Sequence, residues 1–170
     1  MIELKGNRFH KKKNLLSQFL RAYDFEYKPL TPDCVEDTLE LQRQWFSWRD
    51  PEESGALLAE NEAIVRVLQS WDRMPGLMGG AIRVDGEMIA YTVAEALTPD
   101  MLVIHFEKGR PGFKGVYQAI NQMFLADAGA QYALVDREQD LGDEGLRKSK
   151  MSYNPSDFLK KCMVSVAPAR

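Results

Sequence analysis

From Gly80 to Glu107 the apolar residues of this chain recur at alternate positions. On either side of that stretch they recur at helical spacing. Residues 80–84 and 88–96 read as strands joined by a two-residue turn at Asp85-Gly86. A second turn at 98–100 leads into a third strand over 101–107. Strands connected this tightly can only run antiparallel. The chain must therefore build a mid-sequence meander and cover it with the helices on either side.

Those helices can be read from their periodicity. Leu16, Phe19, Leu20 and Tyr23 share a face of a short helix beginning near Lys11, inside a basic segment over 1–23. Residues 25–30 alternate as a strand and stop at Pro29 and Pro32. Residues 33–49 form a helix with Asp33 as its cap, acids in its first turn and Arg49 in its last, with Val35, Leu39, Trp45 and Phe46 on its apolar side. Pro51 ends it, and a second helix covers 52–71. After the meander comes a glycine-containing loop at 109–115, then a helix to about Ala128 marked by Val116, Tyr117, Ile120 and Phe124. Residues 132–135 predict a short strand suited to burial on both faces. A short helix over 156–161 and a last strand over 162–166 complete the expectation.

At 170 residues, with 45% hydrophobic and 28% charged residues, this is one soluble α+β domain, a mixed and mostly antiparallel sheet with helices on both faces. There is no apolar run of membrane-spanning length. The basic opening is followed by no apolar segment of signal-peptide type, so a cytoplasmic protein is expected. Cys34 and Cys162 are expected as free thiols, and no cysteine and histidine spacing suggests a metal site.

Charge is uneven along the chain. Bases dominate 1–28, while ten acids face Arg43, Arg49 and Arg66 over 33–72. If the basic segments meet in space they make a surface able to hold phosphates, so the cluster 11–13, Lys114 and the cluster 147–150 are expected to line one concave face.

The loop 109–115 suits an anion. It enters a helix at its positive end, carries three glycines and is flanked by Lys108, Arg110 and Lys114. Pro111 removes one donor. His105 and Glu107 lie two apart on one predicted strand and so are expected to share a face. Acyl transfer to an amine needs a base and donors for an oxyanion, and either residue is a candidate for the base. Tyr153 is a candidate to protonate a leaving group. The stretch 138–155, EQDLGDEGLRKSKMSYNP, is too polar to anchor a core. It reads as either a site or a solvated helix with Glu144 four residues before Lys148.

The element order is that of the GCN5-related acyltransferase fold. Three blocks carry a closer likeness: GNRFHKKKNLLSQFLRAYDFEYKPL, HFEKGRPGFKGVYQAINQMF and EQDLGDEGLRKSKMSYNPSDFLKK. Together they resemble the phosphatidylglycerol lysyltransferase C-terminal-type domain, from about Lys5 to Ala167. Members of that branch usually have two tandem acyltransferase-like halves, and this chain resembles the second. They commonly carry Asn before the Arg-Glu-Gln-Asp run, where this chain has Asp136.

The resemblance implies an acyl- or aminoacyl-transferase that takes its group from a tRNA or thioester donor, so an acyl-CoA or aminoacyl-tRNA is the implied co-substrate, with no tightly bound cofactor. The acceptor is an amine or hydroxyl of a small molecule, peptide or lipid. Lys11, Lys12, Lys13 and Asn14 match the family's basic opening. Lys114, Gly115 and Tyr117 match its loop-to-helix motif. Glu138, Gln139, Asp140, Gly142, Gly145, Leu146, Arg147, Lys148, Lys150, Ser152 and Pro155 match its signature. Among these, Arg147, Lys148 and Lys150 are expected to hold phosphate or carboxylate, with Glu138 and Asp140 orienting them or a substrate ammonium. An acetyl-CoA-dependent N-acetyltransferase and a non-catalytic binding domain are the alternatives. Trp45 and Trp48 on one helix suggest a face that pairs with a second copy in a homodimer.

Overall fold

The computed structural model describes residues 1–49, 55–162 and 164–165. In chain order the elements are α1 (His10–Ala22), β1 (Phe25–Pro29), α2 (Val35–Ser47), α3 (Gly55–Gln69), β2 (Leu77–Val84), β3 (Glu87–Thr98), β4 (Met101–Gly109), α4 (Val116–Asp127), β5 (Leu134–Asp136) and α5 (Glu144–Met151). The five strands stand in the sheet in sequence order. The first four are antiparallel, and β5, which returns through α4, is parallel to β4. At the β2–β3 turn Asp85 and Gly86 both adopt positive φ, the geometry that lets a two-residue turn follow the strand twist.

Helices cover both faces. On one, Leu39 and Leu41 of α2 and Ile64 and Leu68 of α3 pack on Ala81, Met88, Tyr91 and Val93. On the other, Phe19 of α1 and Val116, Ala119 and Ile120 of α4 pack on Ile82, Val84, Ile89 and Ala90. Phe124 and Leu125 extend that second layer over Ala94, Leu102 and Ile104. No helix among the described residues is long and apolar enough to cross a membrane.

Several expectations are corrected. Asp33 lies in a short 3-10 turn, and Cys34 occupies the cap position of α2 without a side-chain capping bond. The helix expected over 52–71 is described from Gly55 and ends at Gln69, with Trp71 opening a separate turn; Pro51 lies outside the described residues. The strand expected at 132–135 is Leu134–Asp136. It lies at the sheet edge with Leu134 exposed, because only one neighbour pairs with it. Residues 156–161 form no helix, and Cys162, Val164 and Ser165 form no strand. Phe158, Leu159 and Val164 are exposed, and apolar side chains make a strand only where an edge and a packing face receive them. Met163 and Val166 lie outside the described residues. Within the stretch 138–155 a tight polar strap is followed by the solvated helix α5.

Candidate functional site

The sheet opens where β4 and β5 part. They pair only over Met101–Val103 and Leu134–Asp136. Beyond Val103, β4 continues to Gly109 bonded on one edge to β3, while the other chain leaves at Arg137. Within β4, Ile104 pairs with Ala94 and Phe106 with Val93, so His105 is the extra residue of a β-bulge. The bulge resets the alternation. His105 lies beside the Phe106 ring, whereas Glu107 reaches Asn121 of α4. The two therefore do not share a face, contrary to the spacing argument.

The parting leaves a cavity of about 590 Å³. Its walls are Ile104, His105, Glu107 and Lys108 of β4, Trp45 and Glu60 from one layer, and Tyr117, Gln118, Arg137, Lys150 and Tyr153 from the other. Glu107 accepts hydrogen bonds at 2.9 Å from both Asn121 Nδ2 and Arg137 Nη2. Arg137 Nε and Nη1 are buried and, among the described residues, have no hydrogen-bond partner. Its guanidinium carbon lies 4.7 Å from the centroid of the Tyr153 ring, and Lys12 Nζ lies 4.3 Å from the same ring. Burial raises the Tyr153 phenol above its ordinary range, so it remains a proton donor at neutral pH.

Lys108 is buried and donates to Glu60 Oε2 at 2.8 Å, with its ammonium 4.1 Å from the Trp45 ring. Burial pulls its pKa down, and Glu60 opposes that pull. Trp45 Nε1 donates to the Tyr117 hydroxyl at 3.2 Å, which donates to the Gly109 carbonyl at 3.3 Å.

The polar strap beyond β5 forms one wall, and its shape is internal work. Lys150 donates to the carbonyls of Arg137, Glu138 and Gln139 at 2.5, 3.0 and 2.6 Å. Arg147 Nε binds Asp140 at 2.5 Å, and Asp140 also accepts from the Gly142 N–H. These donors hold the Asp140 carboxyl at about 2. Asp143 caps α5 by accepting from the Leu146 N–H at 2.6 Å. Glu138 meets His105 Nδ1 at 3.4 Å and pairs with Lys161, while Glu95 takes His105 Nε2 at 2.9 Å. Burial alone would raise Glu138, but Lys161 and His105 outweigh it and pull it below the usual carboxylate range. Gln139 is exposed beside these groups.

The loop 109–115 lies beside a separate groove of about 280 Å³, lined by residues 110–118. Of its three flanking bases, Lys108 turns into the larger cavity, Arg110 pairs with Glu87 at 2.5 Å, and Lys114 lines the groove. Two loop N–H groups are already engaged, Arg110 with the Ile89 carbonyl and Lys114 with the Tyr23 hydroxyl, and the Val116 N–H at the start of α4 binds the Phe113 carbonyl. Gly115 has φ +86°, and a Cβ there would stand 2.2 Å from the Leu15 carbonyl oxygen, so glycine is required where α1 meets α4.

Lys114 and Lys150 line different depressions that share Tyr117 and Gln118. Lys11, Lys13 and Lys148 face solvent, and Lys12 is buried beside Tyr153. Sequence reasoning missed Arg137, Glu60 and the inward turn of Lys108. Arg137 lies one residue before the block 138–155. Glu60 carries no local signal, because its partner is 48 residues away.

A strap-bearing cavity at the split between two parallel strands, on this element order, belongs to the GCN5-related acyltransferase fold. An aminoglycoside N-acetyltransferase crystallised in complex with CoA superposes with a TM-score of 0.59 at 9% identity, over 88% of this chain and 98% of that one. The model of the family "Phosphatidylglycerol lysyltransferase, C-terminal" matches residues 1–165, and the chain belongs to that family. A conserved protein of unknown function from Bacteroides thetaiotaomicron is similar at 33% identity and TM-score 0.86, over 92% of this chain and 53% of that one. The C-terminal domain of a putative lysylphosphatidylglycerol synthetase from Agrobacterium fabrum is similar at 15% identity and TM-score 0.58, over 91% and 54%. An uncharacterised protein of Mycoplasmoides gallisepticum is 24% identical over 98% of this chain and 53% of its own length. The chain thus spans about half the length of these three relatives.

Proposed function

We propose that this domain is an acyl- or aminoacyl-transferase that binds the acyl end of its donor in the notch between β4 and β5. The observation that carries the reading is the strand edge left open beyond Val103, which forms a wall of the cavity. Backbone N–H groups on an unpaired edge are fixed donors facing the cleft, the arrangement that stabilises an oxyanion as the acceptor attacks the carbonyl. Tyr153, kept protonated by burial, supplies the proton for the departing ribose oxygen or thiolate. Glu107 holds Arg137 and Asn121 in place, and its carboxylate is the candidate to take the acceptor's proton. His105 has a carboxylate at each ring nitrogen and braces the strap through Glu138.

Aminoacyl-tRNA is favoured over acyl-CoA as the donor. Arg110 and Lys114 already use their N–H groups and Pro111 has none, so the 109–115 loop offers a pyrophosphate fewer donors than a fully free loop would, and packing already accounts for Gly115. The test presents the protein with labelled aminoacyl-tRNAs and, separately, with acetyl-CoA. It follows both melting temperature and loss of label to nucleophiles such as hydroxylamine or simple amines. A ligand at 100 times its Kd stabilises by about 2.7 kcal/mol. Binding and deacylation of aminoacyl-tRNA alone is the expected result. Response to neither donor refutes the reading, and response to acetyl-CoA alone moves the donor assignment to the thioester.

A further inference from the structure

Two cations stand on the ring of Trp45 where it lines the cavity. Lys108 Nζ lies 4.1 Å from the ring centroid and the Arg49 guanidinium carbon 4.8 Å. Lys108 is 6% exposed, and its ammonium donates to Glu60 Oε2 at 2.8 Å. A carboxylate and an indole face around one desolvated ammonium are the groups that recognise an alkylammonium. The chain fills this corner with its own side chain. The opposite wall carries Arg137 and Lys150. Among the described residues, each carboxylate lining the cavity also has a partner. Glu60 holds Lys108, Glu107 holds Asn121 and Arg137, Asp140 holds Arg147, and Asp143 caps α5. A further positive charge brought into this space meets a resident cation on either wall, and both desolvation and like charge act against it.

We propose that Lys108 is a specificity-determining residue: by occupying the Glu60–Trp45 corner it restricts the donor to acyl or aminoacyl groups whose side chain is uncharged. The assignment rests on the transferase reading above, which lays the acyl end along the open edge of β4, the strand that carries Lys108. A lysyl group would bring its side-chain ammonium to a corner that already holds one. The α-amine of an aminoacyl ester is a smaller obstacle. An α-amino group titrates at about 7.7–8.0 against about 10.4 for a lysine side chain, so it sheds its proton on entering at far lower cost. On this geometry the chain departs from the lysyl transfer for which its family is named.

The test has a binding arm and a transfer arm, both on the full chain. Lys108→Ala deletes the side chain beyond Cβ, and n-propylammonium replaces what was removed. With chloride matched by sodium chloride, the amine is expected to raise the melting temperature of Lys108→Ala and to leave the wild type unmoved. 1-Propanol, of the same size and uncharged, should do much less. Adding Glu60→Gln to the variant should weaken amine binding at least tenfold. A variant that the amine stabilises no better than the alcohol does overturns the proposal, and so does a wild type that the amine stabilises equally. The transfer arm needs no variant to fold. One tRNA is charged in turn with labelled lysine and with labelled norleucine, which matches the lysyl stem without its charge, and loss of label to hydroxylamine is followed. The wild type is expected to prefer the norleucyl group at least tenfold, and Lys108→Ala to narrow that preference. Equal use of the two by the wild type overturns the proposal and leaves the transferase reading standing. Amine rescue of the variant without transfer from any donor removes the transferase reading, and the donor restriction with it, while the corner stands as a cation site that Lys108 fills.

Discussion

Glu107 is the residue whose loss the structure prices most directly. Its side chain is 9% exposed and that of Arg137 is 19% exposed. Glu107→Ala removes the acceptor of Arg137 Nη2 from a guanidinium whose other two nitrogens already lack hydrogen-bond partners among the described residues, and strips the nearly buried Asn121 amide of its acceptor. Breaking a buried ion pair from one side costs about 3–5 kcal/mol. An orphaned buried donor adds about 1–3 kcal/mol. The partial exposure of Arg137 argues for the lower end, so about 4 kcal/mol is expected. For a chain of this size that is a fall in melting temperature of roughly 8–16 °C. Glu107→Gln keeps the shape and one acceptor and should lose about half as much. The double variant Glu107→Leu with Arg137→Met removes both charges and should recover most of the stability, since an apolar replacement of a buried pair is often neutral. Urea titration of the four proteins, followed by circular dichroism, gives the three stability differences. A Glu107→Ala loss below about 1 kcal/mol, or a double variant no better than the single, would refute the claim that this pair is a desolvated unit.

Gly115→Ala forces a side chain into a positive-φ position against the Leu15 carbonyl, so it should cost at least the roughly 1–2 kcal/mol of the backbone term and loosen α1 from α4, seen as faster amide exchange in α1. Asp140, with a carboxyl at about 2 in the folded chain, contributes stability that is fully present above the unfolded carboxylate range near pH 4 and is lost as pH falls toward 2. Asp140→Asn should therefore differ from wild type at pH 6 and converge with it by pH 2 in acid-denaturation profiles; parallel profiles would contradict the Arg147 pairing. Trp48 is 43% exposed while Trp45 of the same helix is buried, so Trp48→Glu should leave stability within about 0.5 kcal/mol. Sedimentation of both proteins at tens of micromolar tests the expected homodimer: a wild-type monomer rejects it, and a dimer split by the variant supports it.

Element order was legible in the sequence because helix period, strand alternation and turn chemistry are local. Asp85-Gly86 demands its own turn conformation whatever surrounds it, and the amphipathic faces of α1, α2 and α4 declare themselves within a few turns. The site was only partly legible. Glu107, Tyr153, Lys150 and Asp140 were nominated by type and block, yet what each touches was decided by chain segments far away. Lys150 reads as an anion binder until the strap turns three carbonyls toward it. Gly115 reads as a phosphate glycine until α1 crosses it. His105 and Glu107 share a face on any ideal strand, and the bulge that separates them exists only through the register of β4 against β3. The sequence alone determined which segments could be helix or strand, since those choices are made within a few residues. The tertiary structure decided where β4 and β5 part, which charges were buried there and which were left without partners, because pairing and desolvation are properties of residues brought together, not of residues in a row.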